Sequence, residues 1–107
     1  MKKHALASLL VVLTAAVSTS AFAAGDAAKG KEKNSMCAGC HGIAGWRTVY
    51  PDNVTVPKLG GQHAQYIVAA LKAYQTGDRK HATMRAIAGS LTEQDMNDLA
   101  AYYAEAK

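Results

Sequence analysis

The sequence has 107 residues, of which half are hydrophobic, and its 12 Lys and Arg outnumber its 8 Asp and Glu to give a net charge of +4. This length provides for a single domain. The charge falls to +2 once the two lysines near the N-terminus are removed with the segment described next. That balance is too small to argue for binding to nucleic acid.

Residues 1–23 have the features of a secretion signal. A basic start is followed by an apolar run, and residues 21–23, Ala-Phe-Ala, form a small-x-small cleavage pattern. We therefore expect the mature chain to begin at Ala24 and to form one domain, residues 24–107. A retained membrane anchor is the alternative, although the apolar run is short for a spanning helix.

The first helix of the mature chain is expected to begin at Asp26, a suitable N-cap, and to run through Lys33 to the cysteines. Gly30 lies inside this helix, where glycine costs about 1 kcal/mol relative to alanine. Its presence indicates close approach by another helix.

Both cysteines belong to one motif, Cys37-Ala-Gly-Cys40-His41. The pattern C-x-x-C-H is the attachment signature of c-type haem, because two thiols on one helical turn can each bond a vinyl group while the adjacent imidazole reaches the iron. We predict one covalent haem c, with Cys37 and Cys40 as thioethers and His41 as the proximal ligand.

Three other interpretations of this motif are weaker. A thioredoxin-like dithiol requires a βαβ setting, whereas the flanking segments are predicted to be helix or loop without a strand pair. A zinc site would need two histidines, and His41, His63 and His81 provide no second closely spaced pair. A disulfide across so short a loop would constrain little of the unfolded chain.

Beyond the motif, residues 42–61 contain glycines and prolines without sustained periodicity, which predicts a loop over one side of the haem. Apolar residues at three- and four-residue spacing predict a second helix over residues 62–76, ended by Gly77. The last helix is expected to begin at Thr92, which with Asp95 forms a capping box. Leu91 and Met96 form its hydrophobic staple.

Haem iron in an electron carrier needs a sixth ligand. The positions of the methionines in the sequence indicate which of them can supply it. Met36 lies on the same side of the iron as His41, and packing in the last helix already explains Met96. Met84 is expected in irregular chain between two helices, where it can present its sulfur to the far side of the haem. We predict Met84 as the distal ligand, with His81 as its main rival and the filling of a core gap as the alternative role for Met84.

With these residues considered, the sequence resembles the class I cytochromes c, specifically the short bacterial periplasmic monohaem type that is similar to one half of the dihaem cytochromes of this class. The shared segments are Ala-Gly-Asp-Ala-Ala-Lys-Gly-Lys near the start of the mature chain, the haem motif with Gly42, Pro57-Lys-Leu-Gly-Gly-Gln62, Tyr66, Gly77-Asp-Arg79, Met84, and Leu91 through Leu99-Ala-Ala-Tyr-Tyr103. The resemblance implies an all-α class I cytochrome c fold, with three main helices and loops wrapped around one haem. The first and last helices would cross near Gly30, Leu99 and Tyr102.

The resemblance also implies roles that spacing does not supply. The Pro57 carbonyl would accept the proton of the second ring nitrogen of His41, and Leu59 would pack on the proximal face of the haem. Arg79 would lie near a propionate or on the surface. The sequence departs from the family pattern at residues 43–56, where Trp46 would pack on the haem or contact a partner.

The function implied is one-electron transfer in the periplasm, between a donor dehydrogenase or reductase and an acceptor such as a terminal oxidase. Histidine and methionine together saturate the iron, so we expect no enzymatic activity and no small-molecule substrate. Redox proteins are the expected partners, without nucleic acid and with membrane contact only through partner complexes. The alternatives are a haem subunit permanently docked on a dehydrogenase or oxidase, and a small peroxidase in which Met84 is absent from the iron.

Overall fold

The computed structural model describes residues 25–42, 45–49 and 53–106. Within those residues the elements in chain order are α1 (Ala27–Lys33), α2 (Ser35–His41), β1 (Arg47–Thr48), β2 (Val54–Thr55), α3 (Ala64–Thr76), α4 (Ala82–Gly89) and α5 (Glu93–Glu105). None of the helices found there is both long and apolar enough to cross a membrane. The expected secretion signal and the expected start at Ala24 lie outside the described residues.

Helices α1 and α5 cross at Gly30, which is buried. A Cβ atom added to Gly30 would lie 2.0 Å from the backbone oxygen of Asp98 and 2.8 Å from the Cβ of Tyr102. Carbon atoms in contact normally stay about 3.5 to 4.0 Å apart, so only glycine allows this approach. The prediction that the first and last helices cross near Gly30 and Tyr102 is confirmed, but the backbone contact comes from Asp98, and the predicted Leu99 belongs to the core cluster instead.

The side chain of Asp98 joins α5 to both ends of α1. It is fully buried, and its Oδ1 accepts hydrogen bonds of 2.8 Å from the backbone N–H of Asp26 and from Gln94 Nε2. Its Oδ2 accepts a hydrogen bond of 2.8 Å from Lys33 Nζ. The Asp26 N–H, followed by Lys33, lowers the pKa of Asp98 to about 2. The carboxylate is therefore charged at neutral pH and holds α1 against α5.

The core lies where α3 and α5 meet. Its buried hydrophobic members are Ile67, Val68, Leu91, Met96, Leu99, Ala100 and Tyr103. Thr92 and Asp95 form the predicted capping box at the start of α5, in which the Thr92 side chain accepts from the Asp95 N–H and the Asp95 side chain accepts from the Thr92 N–H. Gly77, with φ of +87°, ends α3 as predicted.

Three expectations about local structure are wrong. The first helix is not continuous, because Asn34 separates α1 from α2 and its Oδ1 accepts a hydrogen bond from the hydroxyl of Tyr103 on α5. Met84 lies in a helix, α4, and not in irregular chain.

The third concerns the predicted loop, which contains a strand pair. Strand β1 pairs antiparallel with β2, with Arg47 opposite Thr55 and Thr48 opposite Val54. The guanidinium of Arg47 fastens this hairpin by donating to Thr55 Oγ1 at 2.9 Å and to Asn53 Oδ1 at 3.0 Å.

Candidate haem site

A cavity of about 460 Å³ lies between α2, the hairpin, α3, α4 and α5. All six residues predicted for the site line it, namely Cys37, Cys40, His41, Pro57, Leu59 and Met84. They come from three separate parts of the chain. The fold therefore brings them around one space of a size that suits a cofactor.

Helix α2 carries the attachment motif at one wall of the cavity. It runs from Ser35 to His41, so the two cysteines lie nearly one turn apart and the imidazole follows the second directly. Cys37 also packs against the core cluster, and burial raises the pKa of its thiol. Burial, followed by the neighbouring Cys37, raises the pKa of Tyr103 as well. The Cys37 thiol and the Tyr103 hydroxyl are consequently uncharged at neutral pH, which suits an apolar macrocycle.

The imidazole of His41 is held by a backbone carbonyl. Its Nδ1 lies 2.7 Å from the oxygen of Pro57. A carbonyl can only accept a hydrogen bond, so Nδ1 carries a proton, and in the neutral tautomer with this proton Nε2 keeps its lone pair. Such a bond from the far ring nitrogen orients a ligating histidine and raises its basicity. The geometry agrees with the role predicted for Pro57, and that role remains a prediction.

The cavity also meets the first turns of α4. Met84 is the third residue of this helix, and both Met84 and His81 line the cavity. His81 is the N-cap residue of α4, and its Nδ1 accepts a hydrogen bond of 3.2 Å from the backbone N–H of Met84. The imidazole of His81 therefore already stabilises the start of the helix that presents Met84.

The residues present fit a haem c. Two thiols, an imidazole held through its Nδ1, a thioether and walls of mostly apolar side chains are the donors and surroundings that this group uses. In the described part of the chain, no three His, Cys, Asp or Glu side chains gather as metal ligands would, and the two thiols are not joined to each other. The structure thus favours neither the zinc nor the disulfide interpretation.

Comparison with known proteins agrees with this geometry. The family model described as "Cytochrome c" matches residues 27–107. The chain belongs to the cytochrome c family. Membership implies a covalently bound haem c, for which Cys37, Cys40 and His41 form the family's motif.

The relatives place the chain among the class I cytochromes c. It is 41% identical to cytochrome c-554(548) of Halomonas halodenitrificans over 75% of this chain and 95% of that protein. It is 38% identical to cytochrome c4 of Pseudomonas aeruginosa over 95% of this chain but only 48% of that protein. The chain thus spans about half the length of the cytochrome c4 relatives.

A solved structure supports the fold. The structure of cytochrome c4 from Acidithiobacillus ferrooxidans matches with a TM-score of 0.63 and 28% identity, covering 80% of this chain and 52% of that one. The predicted all-α class I cytochrome c fold is confirmed.

Several residues of the cytochrome c cavity were missed by the sequence reasoning. Thr48, Val54 and Val56 line it from the hairpin. Their β-branched side chains are typical of strands and could have indicated the strand pair. Trp46, in contrast, is not among the lining residues and its side chain is 42% exposed. The structure therefore does not support the role of Trp46 in packing on the haem, and its contact with a partner remains a prediction.

Proposed function

We propose that this cytochrome c is a periplasmic one-electron carrier whose haem is ligated by His41 and Met84. When bound, the haem supplies a single redox-active iron that changes between the ferric and ferrous states. The family supports the coarser statement that the protein is a haem c electron carrier. The finer assignments rest on the geometry of this chain.

The observation that carries the proposal is the hydrogen bond between His41 Nδ1 and the Pro57 oxygen. It leaves Nε2 as the free donor atom and fixes the plane of the ring. Because the motif places His41 directly after Cys40, the two attachment points and the ligand belong to one short helix. A rigid proximal side of this kind keeps the geometry similar in both redox states, which favours electron transfer.

Met84 is the better of the two distal candidates. The ring of His81 is engaged through Nδ1 in capping α4, whereas Met84 lines the cavity and no hydrogen bond to its thioether is found among the described residues. A thioether favours the ferrous state and raises the reduction potential. With His41 and Met84 both bound, no position is left for a substrate, which supports a carrier over a peroxidase.

Replacing Met84 tests the distal assignment. Ferric haem with thioether ligation has a weak band at the red edge of the visible spectrum, which nitrogen ligands do not give. Met84→Ala should abolish this band, lower the reduction potential and allow rapid cyanide binding.

Met96→Ala is the matched control, because Met96 is buried in α5 outside the cavity lining. It should keep the band while the protein loses stability. If the wild type lacks the band and His81→Ala changes its spectrum, the distal ligand is His81, and the proposed high-potential carrier is wrong. If Met84→Ala retains the band, Met84 is not its source, and the proposed ligation by Met84 is wrong.

The mass of the isolated protein tests both the removal of the signal segment and the covalent attachment of the haem. We propose that residues 1–23 are removed on export and that both thiols bond the haem. The protein isolated from the periplasm of a host that matures cytochromes c should begin at Ala24. Its mass should exceed that of residues 24–107 by one haem, and the haem should remain after acid-organic extraction. Haem that is lost in the extraction would contradict double attachment.

A further inference from the structure

Asn97 on α5 has a buried side-chain oxygen without a hydrogen-bond partner. The residue is 5% exposed, and among the buried side-chain nitrogens and oxygens of the described residues only its Oδ1 lacks a partner. Buried polar groups are nearly always paired, because an unpaired acceptor loses its hydration without a replacement. The Asn97 oxygen is therefore placed to accept from a further donor.

The nearby donors on α1 and α5 are already used by Asp98, the residue after Asn97. The Asp26 N–H, Gln94 Nε2 and Lys33 Nζ all bond the Asp98 carboxylate, each at 2.8 Å. Lys33 Nζ also pairs with Asp95. The donor for Asn97 has to come from another group.

The chain enters α1 directly over the backbone of Asn97. A Cβ atom added to Gly25 would lie 1.8 Å from the backbone oxygen of Asn97 and 2.7 Å from the backbone nitrogen of Asp98. Only glycine permits so close an approach. Residue 24 is bonded to Gly25, and covalent geometry keeps its nitrogen within about 5 Å of the Gly25 Cα. The nitrogen of Ala24 is therefore within reach of Asn97.

Cleavage before Ala24 changes what this nitrogen can donate. While Ala24 is joined to Ala23, its nitrogen carries one N–H, which is fixed in the peptide plane. The structure is that of the uncleaved chain, and in it Asn97 Oδ1 accepts no hydrogen bond. A free α-amino group is mostly protonated at neutral pH, and its three N–H donors can rotate toward an acceptor.

The charge at the start of α1 also favours an ammonium group. Asp26 lies two residues from Ala24 and takes part in none of the ion pairs of the described residues. Its backbone N–H bonds the buried Asp98 carboxylate, whose charge is shared with Lys33. Opposite charges at this range stabilise a cation, and a charged donor makes a stronger hydrogen bond than a neutral one.

We propose that Asn97 and the residues around Gly25 form a site for a free α-ammonium group, and that its occupant is the amino group of Ala24. Removal of residues 1–23 then completes the contact between α1 and α5, so that the mature chain is more stable than the precursor. The inference rests on the proposed function in one respect, the cleavage before Ala24.

Melting of the ferric holoprotein tests this site in two chains that differ only at the N-terminus. One chain begins at Ala24, and the other carries one extra alanine before it, which makes the nitrogen of Ala24 an amide again. Both are exported behind a foreign signal segment, and mass verifies where each begins. The chain that begins at Ala24 should melt roughly 5 to 10 °C higher than the extended chain.

Asn97→Leu removes the acceptor and keeps a branched side chain of similar shape. It should lower the melting temperature of the chain that begins at Ala24 by a similar amount. In the extended chain it removes an unpaired buried oxygen, so the melting temperature should stay the same or rise. The two chains should then melt together.

Two further variants make the comparison specific. Gln75→Leu is the matched control, because the Gln75 amide donates to the backbone oxygens of Ala88 and Leu91 and its loss should cost the same in both chains. Asn97→Asp keeps acceptor oxygens and removes the amide donor, so the difference between the two chains should persist.

Three results would overturn the proposal. Equal melting temperatures of the two chains would show that the free amino group contributes nothing. An equal cost of Asn97→Leu in both chains would assign Oδ1 another partner, such as a bound water. Loss of the difference in Asn97→Asp would show that the Asn97 amide acts as a donor.

Failure of the proposed function would be recognised separately. A native protein whose mass places its start elsewhere would contradict both the proposed cleavage and the proposed occupant. Equal melting of the two defined chains would contradict the site alone, and the Met84→Ala spectrum tests haem ligation independently of both.

Discussion

Gly30→Ala tests the helix crossing on which the fold depends. The added Cβ would lie 2.0 Å from the backbone oxygen and 2.6 Å from the backbone carbon of Asp98. Because these are backbone atoms, the clash cannot be relieved by turning a side chain. Helix α1 would have to move by roughly 1 Å or more to restore van der Waals contact.

The cost of this movement exceeds the gain in helix propensity. Alanine is favoured over glycine in a helix by roughly 0.5 to 1 kcal/mol, whereas overpacking costs about 1 to 3 kcal/mol. The hydrogen bond from the Asp26 N–H to Asp98, now 2.8 Å, would lengthen as α1 moves. We therefore expect Gly30→Ala to lower the free energy of unfolding by about 2 kcal/mol, and Gly30→Val to lower it further.

Guanidinium chloride unfolding of the ferric holoprotein measures this effect. With a slope of roughly 2 to 4 kcal/mol per molar, the midpoint should fall by about 0.5 to 1 M. Gly89→Ala is the control, because an added Cβ on this glycine of α4 meets no atom within 4 Å. An unchanged midpoint in Gly30→Ala would refute the predicted crossing.

Two further predictions concern contacts of α5. The pKa of Asp98 is lowered to about 2, so its stabilising contribution is complete above about pH 4 and is lost as the pH falls toward 2. The melting temperature of the wild type should therefore decline over that range more steeply than that of Asp98→Asn. Tyr103→Phe removes the donor to Asn34 Oδ1 and should cost roughly 0.5 to 1.5 kcal/mol in chemical unfolding, while the charge-transfer band of the haem remains. A stability equal to that of the wild type would show that this hydrogen bond contributes nothing.

The start of α5 could be predicted because its signals are local. Thr92 and Asp95 bond each other's backbone N–H groups within four residues, so the pattern is complete in the sequence itself. Gly77 is a similar case, since a left-handed C-cap needs only the residue at that position.

Helix α4 was not predicted from the sequence because its N-cap residue is of an unusual type. N-caps are normally Ser, Thr, Asp or Asn, whereas α4 begins after His81, whose ring nitrogen accepts the Met84 N–H. The break between α1 and α2 was not predicted for a different reason. It coincides with a hydrogen bond between Asn34 and Tyr103, which are 69 residues apart.

The strand pair β1 and β2 has two residues in each strand, which is too short for alternation to be recognised. The hydrogen bonds that its register shows outside the backbone come from the side chain of Arg47, which reaches Asn53 and Thr55.

The residues of the candidate site also differ in whether local sequence signals suffice to predict them. The three residues of the attachment motif could be predicted from spacing alone, because the chemistry requires them to be adjacent. Pro57 and Met84 could be predicted only through resemblance or elimination, since the fold brings them to the cavity from other elements.

Stability and redox geometry in this protein depend on the same helix. Asp98 holds α1 at Asp26 and at Lys33, and α2 follows α1 with only Asn34 between them. The position of α2 in turn sets the 2.7 Å contact between His41 and Pro57. Movement of α1 away from α5 would therefore be expected to shift His41, the proposed proximal ligand. We therefore expect the crossing at Gly30 to affect the position of His41 as well as the packing of the core.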